Sequence, residues 1–351
     1  MTNAPYATLR RTLGPLIEPL YRFEINRRNA RYDQLVGVKR LPLPVISVGN
    51  LTTGGTGKTP FVAWLCQQLL ANGRKPLIAM RGYKASPSGH SDEATLYRAL
   101  VPSVPVIADP RRYAAVTAWI TANPGAADCV VLDDGFQHRK LWRDCDIVLL
   151  DATVDLTVER LLPTGNLREP TDSLKRATLM VLTHAEAAEH ELQLGTHWSK
   201  RLLAMHHRAL DATATHAWRG LRDALGVLHT PSHVHGRRIL AVCAIGNPDA
   251  FVRQVQLASG DGGHVDSLVL PDHDRYSPAS IQQIFQKAKT IDAEMIVTTA
   301  KDATKIGPGV IPAERWPVPL LVAELSLQIV GGEMLTAAVL KSLKAAGSQV
   351  P

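Results

Sequence analysis

The sequence lacks paired cysteines, and this absence restricts the compartment in which the protein works. Its four cysteines, Cys66, Cys129, Cys145 and Cys243, are widely scattered and form no CxxC pair. Most of them lie in apolar runs, where a reduced and buried thiol is the ordinary state and a disulfide framework is not expected. This pattern predicts a cytosolic protein.

Long apolar runs are also missing. No stretch of the sequence approaches the roughly 18 to 20 consecutive apolar residues that a membrane-spanning helix needs. The N-terminus lacks the apolar core and the small-residue cleavage site of a signal peptide. We therefore expect a chain that neither spans a membrane nor is exported.

The order of apolar runs predicts the fold. With 351 residues, 45% of them hydrophobic, the chain is long enough for two lobes with buried cores. Short apolar runs alternate with helical patterns, at 45–48, 77–80, 104–108, 129–132, 147–150 and 179–182. Runs of this length, apolar on both faces, are typical of a parallel sheet that helices cover on both sides.

A polar, histidine-rich stretch at 184–236 interrupts this pattern, which resumes in four further runs, at 239–243, 267–270, 295–298 and 320–323. We interpret them as a second, smaller α/β lobe. The expected organisation is an N-terminal arm at 1–40, a core at 41–235 and a C-terminal lobe at 236–351. The cleft between the lobes is the default position for an active site.

Positive charge is concentrated in the arm. The chain has a net charge of +7, and residues 1–40 hold eight basic side chains against three acidic ones. Apolar residues recur there at helical spacing, at Leu9, Leu13, Leu16 and Leu20. The pattern predicts a basic amphipathic helical arm, suited either to an anionic membrane surface or to packing on its own protein. Pro15 and Pro19 are expected to break or restart the helix.

Residues 45–59 read as a strand, a glycine-rich turn and the start of a helix. Glycine lets successive backbone N–H groups close around phosphate oxygens, and the helix N-terminus adds its positive dipole end. The pattern predicts a P-loop NTPase-like fold that binds ATP and Mg²⁺. Lys58 should reach the β- and γ-phosphates, and Thr59 should offer its hydroxyl to Mg²⁺. The predicted nucleotide-binding residues are Thr52, Thr53, Gly54, Gly55, Thr56, Gly57, Lys58 and Thr59.

Two further features refine the prediction. Thr52 stands where the standard loop has glycine, so the spacing resembles the variant loop of dethiobiotin synthetase and the nitrogenase iron protein. After the run at 179–182 the chain reads Thr183-His184-Ala185-Glu186, without the lysine and aspartate of a guanine clamp. This difference favours ATP over GTP.

A pair of acids, Asp133 and Asp134, ends the apolar run that starts at Cys129. P-loop proteins use acids at a strand end to hold Mg²⁺ or its waters opposite the phosphate loop. The pair therefore predicts a metal site beside the nucleotide.

The run 132–138 (LDDGFQH), followed by 143–151 (RDCDIVLLD), resembles the tetraacyldisaccharide 4'-kinase family. Further blocks agree in the same order: 49–51 (GNL), 59–60 (TP), 81–83 (RGY), 91–93 (SDE), 108–112 (ADPRR), 163–170 (PxGxLREP), 245–248 (IGNP), 272–273 (DH) and 299–302 (TxKD), where x stands for any residue. The resemblance covers essentially the whole chain. It departs at Asp274, where many relatives have histidine, and at Ala300, where many have glutamate.

The resemblance implies a kinase that transfers the γ-phosphate of ATP to the 4'-hydroxyl of a tetraacylated glucosamine disaccharide 1-phosphate, giving lipid IV-A in lipid A biosynthesis. It implies a peripheral enzyme at the cytoplasmic face of the bacterial inner membrane, whose partners are this lipid and the anionic membrane surface. The sequence leaves the oligomeric state open.

The resemblance also implies roles for single residues. Asp92 would deprotonate or position the acceptor hydroxyl, with His273 as its partner, and Lys58 and Asp134 would complete the catalytic set. Glu93 and Asp134 would lie on the metal side, supported by Asp133.

Arg168 has more than one possible role. It could bind a phosphate, either of the nucleotide or of the acceptor, or it could form a salt bridge within its loop. The sequence does not decide among these.

Two other functional classes share features of this sequence. A P-loop switch for metal delivery or partner assembly would share the loop but would need no base facing a second substrate. A nucleic-acid-binding ATPase is suggested by the pI of 9.3, yet the charge lies in the arm and no nucleic-acid motif is present. His229, His233 and His235 are interpreted as ordinary polar residues and not as a metal site.

Overall fold

The computed structural model describes residues 13–82, 92–185, 204–246, 248–272, 274–307 and 309–347, except for the side chains of Asp92, Glu93, His216 and Leu325. The chain forms two compact units, Met1–Thr215 with Leu327–Pro351, and His216–Ser326.

The helices and strands follow one another along the chain as α1 (Gly14–Asp33), β1 (Val45–Asn50), α2 (Lys58–Ala71), β2 (Pro76–Met80), α3 (Asp92–Leu100), β3 (Val106–Ala108), α4 (Arg112–Ala122), β4 (Cys129–Asp133), β5 (Cys145–Asp151), β6 (Leu179–Thr183), β7 (Ala212–Arg222), β8 (Leu228–His229), β9 (Arg238–Cys243), α5 (Pro248–Ser259), β10 (His264–Val269), α6 (Pro278–Thr290), β11 (Met295–Thr299), α7 (Ala300–Ile306), β12 (Leu320–Val330) and α8 (Gly332–Gly347). Short 3₁₀ segments lie at Thr171–Arg176, Pro231–Val234 and Ala313–Arg315.

The sheet of the first unit is parallel, in the order β7-β6-β5-β1-β4-β2-β3. Strands β1, β2, β4, β5 and β6 are buried along their whole length. This burial explains their near-continuous apolar sequences and confirms the predicted α/β fold. In register, Val48 of β1 lies opposite Asp133 of β4, so the turn after β1 and the two acids share one edge of the sheet.

The last helix, α8, belongs to the first unit. Leu335, Val339 and Leu343, one every fourth residue, pack in the same core as Phe61 and Leu65 of α2. The predicted limits of 41–235 and 236–351 therefore do not coincide with the compact units. The apolar stripe of α8 is buried against the phosphate-loop helix, which returns the end of the chain to the first unit.

The second unit has a parallel sheet in the order β10-β9-β11-β12. Successive residues of β9 face opposite sides: Leu240 packs with Ile284 of α6, and Ile239 packs with Val255 of α5. A smaller α/β unit was thus correctly predicted. Strands β7 and β8 were missed, because they fall in the histidine-rich stretch and β7 mixes alanine, threonine and arginine instead of forming an apolar run.

Helix α1 continues through Pro19, so the expected break is wrong. Pro15 lies in the first turn, where its missing N–H has no helical acceptor to lose, and Pro19 removes a single hydrogen bond from a 20-residue helix. Among the described residues, no helix is long and apolar enough to cross a bilayer.

We predict that Leu335→Ala destabilises the protein by about 2 to 5 kcal/mol, because Leu335 is 1% exposed and truncating it leaves a cavity in the core of the first unit. Its neighbour Met334 is 72% exposed, so Met334→Ala should change stability by no more than about 0.5 kcal/mol. Denaturant unfolding followed by circular dichroism compares the two variants. Equal midpoints would show that α8 is not part of this core.

Candidate functional site: a phosphate loop facing two acids

The turn between β1 and α2, residues 51–57, has the backbone of a phosphate loop. Gly57 immediately precedes α2 in the left-handed conformation, with φ of 73°, which favours glycine. Gly54 also has a positive φ, and among the described residues no atom other than its own and those of its chain neighbours lies within 4 Å of the position that a Cβ would take there. The loop therefore leaves room for phosphate oxygens close to its main chain.

Side chains within the loop fix its shape. Asn50 donates from Nδ2 to the carbonyl oxygen of Thr52 at 2.8 Å. Lys58 donates from Nζ to Oδ1 of Asn50 at 3.1 Å and to Oγ1 of Thr56 at 3.5 Å. The loop is also held from outside, because the Thr53 N–H donates to the carbonyl oxygen of Asn166 at 2.8 Å. The ammonium group of Lys58 thus lies over the loop.

Three basic side chains of the site contact Asp134. Nη1 of Arg168 donates to both of its carboxylate oxygens at 2.9 Å, and Nζ of Lys58 lies 3.7 Å from Oδ1. Nη1 of Arg112 donates to its main-chain carbonyl at 3.2 Å. Burial acts to raise the pKa of Asp134, but Lys58 and Arg168 outweigh it, and the pKa lies below the usual range. The carboxyl group is therefore ionised at neutral pH.

Asp133 lies in a different environment. The hydroxyl of Tyr97 donates to its Oδ2 at 3.0 Å, while Oδ1 is buried and has no hydrogen-bond partner among the described residues. Burial raises its pKa, although Lys58 opposes the shift. A buried carboxylate oxygen without a partner fits a site that is completed by a cation or a cation-bound water.

The donor set at this edge of the sheet fits Mg²⁺, which prefers oxygen ligands and keeps several waters beside substrate phosphates. Asp133, Asp134 and the hydroxyl of Thr59 at the start of α2 supply oxygens of this kind. In the part of the chain that the structure describes, no cluster of three or more histidine, cysteine, aspartate or glutamate side chains forms a metal cage. A Mg²⁺ ion bound together with a nucleotide does not need one.

The residues after Asp133 and Asp134 hold the acidic turn against β1. A Cβ on Gly49 would lie 2.6 Å from Cβ of Phe136, so only glycine allows this approach. Gln137 then donates from Nε2 to the carbonyl oxygen of Asn50 at 2.9 Å. The sequence Gly-Phe-Gln after the acids therefore keeps them beside the phosphate loop.

The predicted residues are brought together only in part. Lys58, Asp133, Asp134 and Arg168 lie in one cluster, in which Arg168 pairs with Asp134, a residue outside its own loop. The roles predicted for Arg168 from the sequence stay predictions. Asp92 and Glu93 begin α3, but their side chains lie outside the described parts of the chain, as does the whole of His273. The roles predicted for these three residues stay predictions.

The sequence reasoning missed four residues that hold the site. They are Asn50, Tyr97, Arg112 and Asn166. Asn50 and Arg112 lie in quoted sequence blocks and could have been proposed from them. Tyr97 and Asn166 carry no signal in the sequence, because each acts on a partner more than 30 residues away.

Two of the three histidines that were interpreted as ordinary polar residues contact each other, and one of them contacts an aspartate. His229 Nε2 lies 2.7 Å from Oδ2 of Asp223, and its ring stacks on that of His233. The cysteines are free and buried, as predicted.

A strand, a phosphate loop with its lysine, and two acids at the end of the neighbouring strand define a P-loop nucleotide-binding protein. A family model described as tetraacyldisaccharide-1-P 4'-kinase matches residues 9–344. A tetraacyldisaccharide 4'-kinase of Anaeromyxobacter dehalogenans is 34% identical, over 92% of this chain and 88% of its own. One of Geobacter metallireducens is 35% identical, over 77% of this chain and 81% of its own.

Among solved structures, LpxK from Aquifex aeolicus in complex with ATP superposes with a TM-score of 0.72. It is 29% identical and the match covers 95% of this chain and 99% of that chain. The chain therefore belongs to the tetraacyldisaccharide-1-P 4'-kinase family, and it is a phosphotransferase. The resemblance stated from the sequence motifs and the P-loop fold are both confirmed.

Proposed function

We propose that this chain transfers the γ-phosphate of ATP to the 4'-hydroxyl of a tetraacylated glucosamine disaccharide 1-phosphate, giving lipid IV-A. The observation that carries the proposal is the complete phosphate loop facing Asp133 and Asp134, in a chain that matches the family over residues 9–344. A P-loop switch, the alternative raised by the sequence, would share the loop but would transfer no phosphate to the lipid.

We assign the nucleotide phosphates to residues 52–59. Lys58 exchanges its contacts with Asn50 and Thr56 for the β- and γ-phosphates, where its charge opposes the negative charge that develops during transfer. Mg²⁺, when bound, neutralises charge on the phosphate oxygens. Thr59, Asp134 and Asp133 would hold it, with Glu93 as a further acid on the metal side.

Arg168 is assigned to phosphate recognition. The side chain of Arg168 is 27% exposed. Its guanidinium is bonded to Asp134, which lies beside the phosphate loop. A planar guanidinium can bind phosphate through two parallel hydrogen bonds. In the structure a single nitrogen, Nη1, donates to both carboxylate oxygens of Asp134. The bound phosphate belongs to the nucleotide or to the 1-position of the acceptor.

We assign the acceptor hydroxyl to Asp92 and His273. A secondary alcohol at neutral pH needs a base or a positioning carboxylate to attack phosphorus. Asp92 at the start of α3 takes the proton or orients the hydroxyl, and His273 tunes Asp92.

We assign membrane docking at the cytoplasmic face of the inner membrane to the arm. On α1 three large apolar residues, Leu16, Leu20 and Phe23, are 72%, 70% and 68% exposed. Such a face gains about 0.8 kcal/mol for each CH₂ group that enters the lipid. Arginines of the same helix face the anionic headgroups. The acyl chains of the acceptor stay in the bilayer, so the enzyme must reach the lipid there.

Lys58→Ala should lower kcat about 100- to 1000-fold, because a charge that stabilises the transferring group is lost. The measurement is transfer of labelled γ-phosphate from ATP to the disaccharide 1-phosphate lipid in mixed micelles. A melting temperature near that of the wild type controls for folding. Near-normal turnover by the variant would remove Lys58 from the mechanism, and no labelled lipid from the wild type would refute the proposed function.

Asp92→Asn and His273→Ala should give losses of kcat that do not multiply in the double variant. If the two residues act as one unit, removing either one already abolishes the contribution of the pair. The double variant is expected to be about as slow as the slower single variant. A double variant whose loss equals the product of the two single losses would show that the residues act independently.

Leu16→Asp combined with Leu20→Asp should abolish sedimentation with vesicles of anionic phospholipid, because two charges cannot enter the headgroup boundary without cost. Leu257→Asp is the matched control, since Leu257 is an exposed leucine of a helix in the second unit, 58% exposed. Raising the salt concentration should weaken binding of the wild type. Vesicle binding by the double variant at the wild-type level would place docking elsewhere.

A further inference from the structure

Helix α1 has a second face, which packs on the protein beside the phosphate loop. The hydroxyl of Tyr21 donates to the main-chain carbonyl of Arg168 at 2.9 Å. The N–H of the same Arg168 donates to the carbonyl of Leu51, at the start of the phosphate loop, at 2.7 Å. The main chain of Arg168 is thus held between the loop and α1, while its guanidinium holds Asp134.

The next residue, Glu169, is completely buried and takes bonds from three donors. Nη2 of Arg28 lies 3.3 Å from Oε1, and Nδ2 of Asn29 lies 2.9 Å from Oε2. Nη2 of Arg176 lies 2.8 Å from Oε2. A buried carboxylate is stable only when it is paired in this way, and two of its three donors come from α1.

The third donor connects this cluster to the acidic turn. The guanidinium of Arg176 stacks on the ring of Phe136, 3.8 Å from its centroid, and donates to the Phe136 carbonyl at 3.2 Å. From the other side, Arg139 donates to the carbonyl of Asn29 at 3.0 Å and pairs with Asp33 at 2.7 Å. Helix α1 is therefore bonded directly to Arg139, which follows the acidic turn, and to Glu169, which is next to the residue whose guanidinium holds Asp134.

We propose that Glu169, Arg28 and Asn29 are positioning residues for phosphoryl transfer, which set the place of Arg168 and Asp134 at the phosphate loop. The arm is then part of the active-site framework as well as a membrane anchor. This proposal rests on the proposed kinase function, because it assigns these residues to the same site. None of the three touches the reacting atoms, so each acts through Arg168.

The test compares two neighbouring arginines of α1. Arg27 is exposed and pairs with Glu24 of the same helix, whereas Arg28 is bonded to Glu169. Arg28→Ala and Arg27→Ala each remove one positive charge, so both should weaken vesicle binding by the same factor. With saturating lipid, we expect kcat of Arg28→Ala to fall about 10- to 100-fold below that of Arg27→Ala, because a small misplacement of a catalytic group is costly. Arg28→Lys should recover part of the loss.

A second comparison shows whether Arg28 acts through Arg168. In an Arg168→Ala background, Arg28→Ala should lower kcat no further, since the group it positions is already gone. Asn29→Ala removes one hydrogen bond without a charge and replaces Arg28→Ala if that variant has a lowered melting temperature. The same kcat for the Arg27 and Arg28 variants, or the same loss from Arg28→Ala in both backgrounds, would overturn the proposal.

Binding of a fluorescent ATP analogue with Mg²⁺ separates this proposal from the proposed function. If the wild type phosphorylates no lipid, the proposed function fails, and the positioning role is judged from analogue binding alone. Arg28→Ala should then bind the analogue several-fold more weakly than Arg27→Ala. Because Asp134 would hold the Mg²⁺ of the analogue whichever phosphate Arg168 binds, equal affinities of the two variants for the analogue would overturn the positioning role independently of the acceptor.

Discussion

The site depends on the ionised carboxylate of Asp134, which holds cationic groups that would otherwise repel one another. Lys58 and Arg168 both approach it, and Arg112 is bonded to its carbonyl. In a partly buried site, repulsion between such groups is much stronger than in water. Asp134 compensates for it, and Asp133 adds a second acid on the buried side. The arrangement leaves an excess of positive charge beside the loop, which suits a polyphosphate.

The sheet determines where this charge can lie. Strand β1 lies between β4 and β5 and is buried on both faces, so its interior can carry only apolar or small residues. Polar chemistry is therefore restricted to the strand ends, where the phosphate loop and the acidic turn meet. Gly49 and Phe136 keep these two turns in contact. The position of the site is thus a consequence of burial as much as of the motif.

Much of the fold and part of the site could be predicted from the sequence. Each strand of the first unit from β1 to β6 overlaps a predicted apolar run. Strands that are buried on both faces need apolar residues at consecutive positions, and such runs can be recognised in the sequence. The phosphate loop and Asp133–Asp134 were recognised from local residues alone. The place of α8, the strands β7 and β8, and the roles of Tyr97 and Asn166 depend on partners distant in sequence. A local sequence pattern contains no information about contacts with distant residues, so these contacts are seen only in the structure.

The arm illustrates the same limit. Its sequence was compatible with a membrane surface or with packing on its own protein, and the two possibilities looked exclusive. In the structure the exposed leucines and the residues bonded to Glu169 lie on one helix, so one element has room for both roles. Side-chain spacing predicted an amphipathic arm, but it could not show that Glu169 is buried beneath α1.

On the proposed function, this combination solves a geometric difficulty of acting on a lipid. The 4'-hydroxyl of a multiply acylated disaccharide lies at the height of the headgroups, because withdrawing its acyl chains into water costs about 0.8 kcal/mol per CH₂. A flexible tether would keep the enzyme near the membrane without fixing the height of its phosphate loop. A helix that is bonded through Glu169 and Tyr21 to the Arg168 segment keeps the enzyme at the membrane and also fixes the height of the phosphate loop. Breaking a buried ion pair costs about 3 to 5 kcal/mol, so the helix does not separate easily from this segment. The distance from the apolar face of α1 to Asp134 is then a property of the folded unit, and docking the helix also sets the height at which phosphate is transferred.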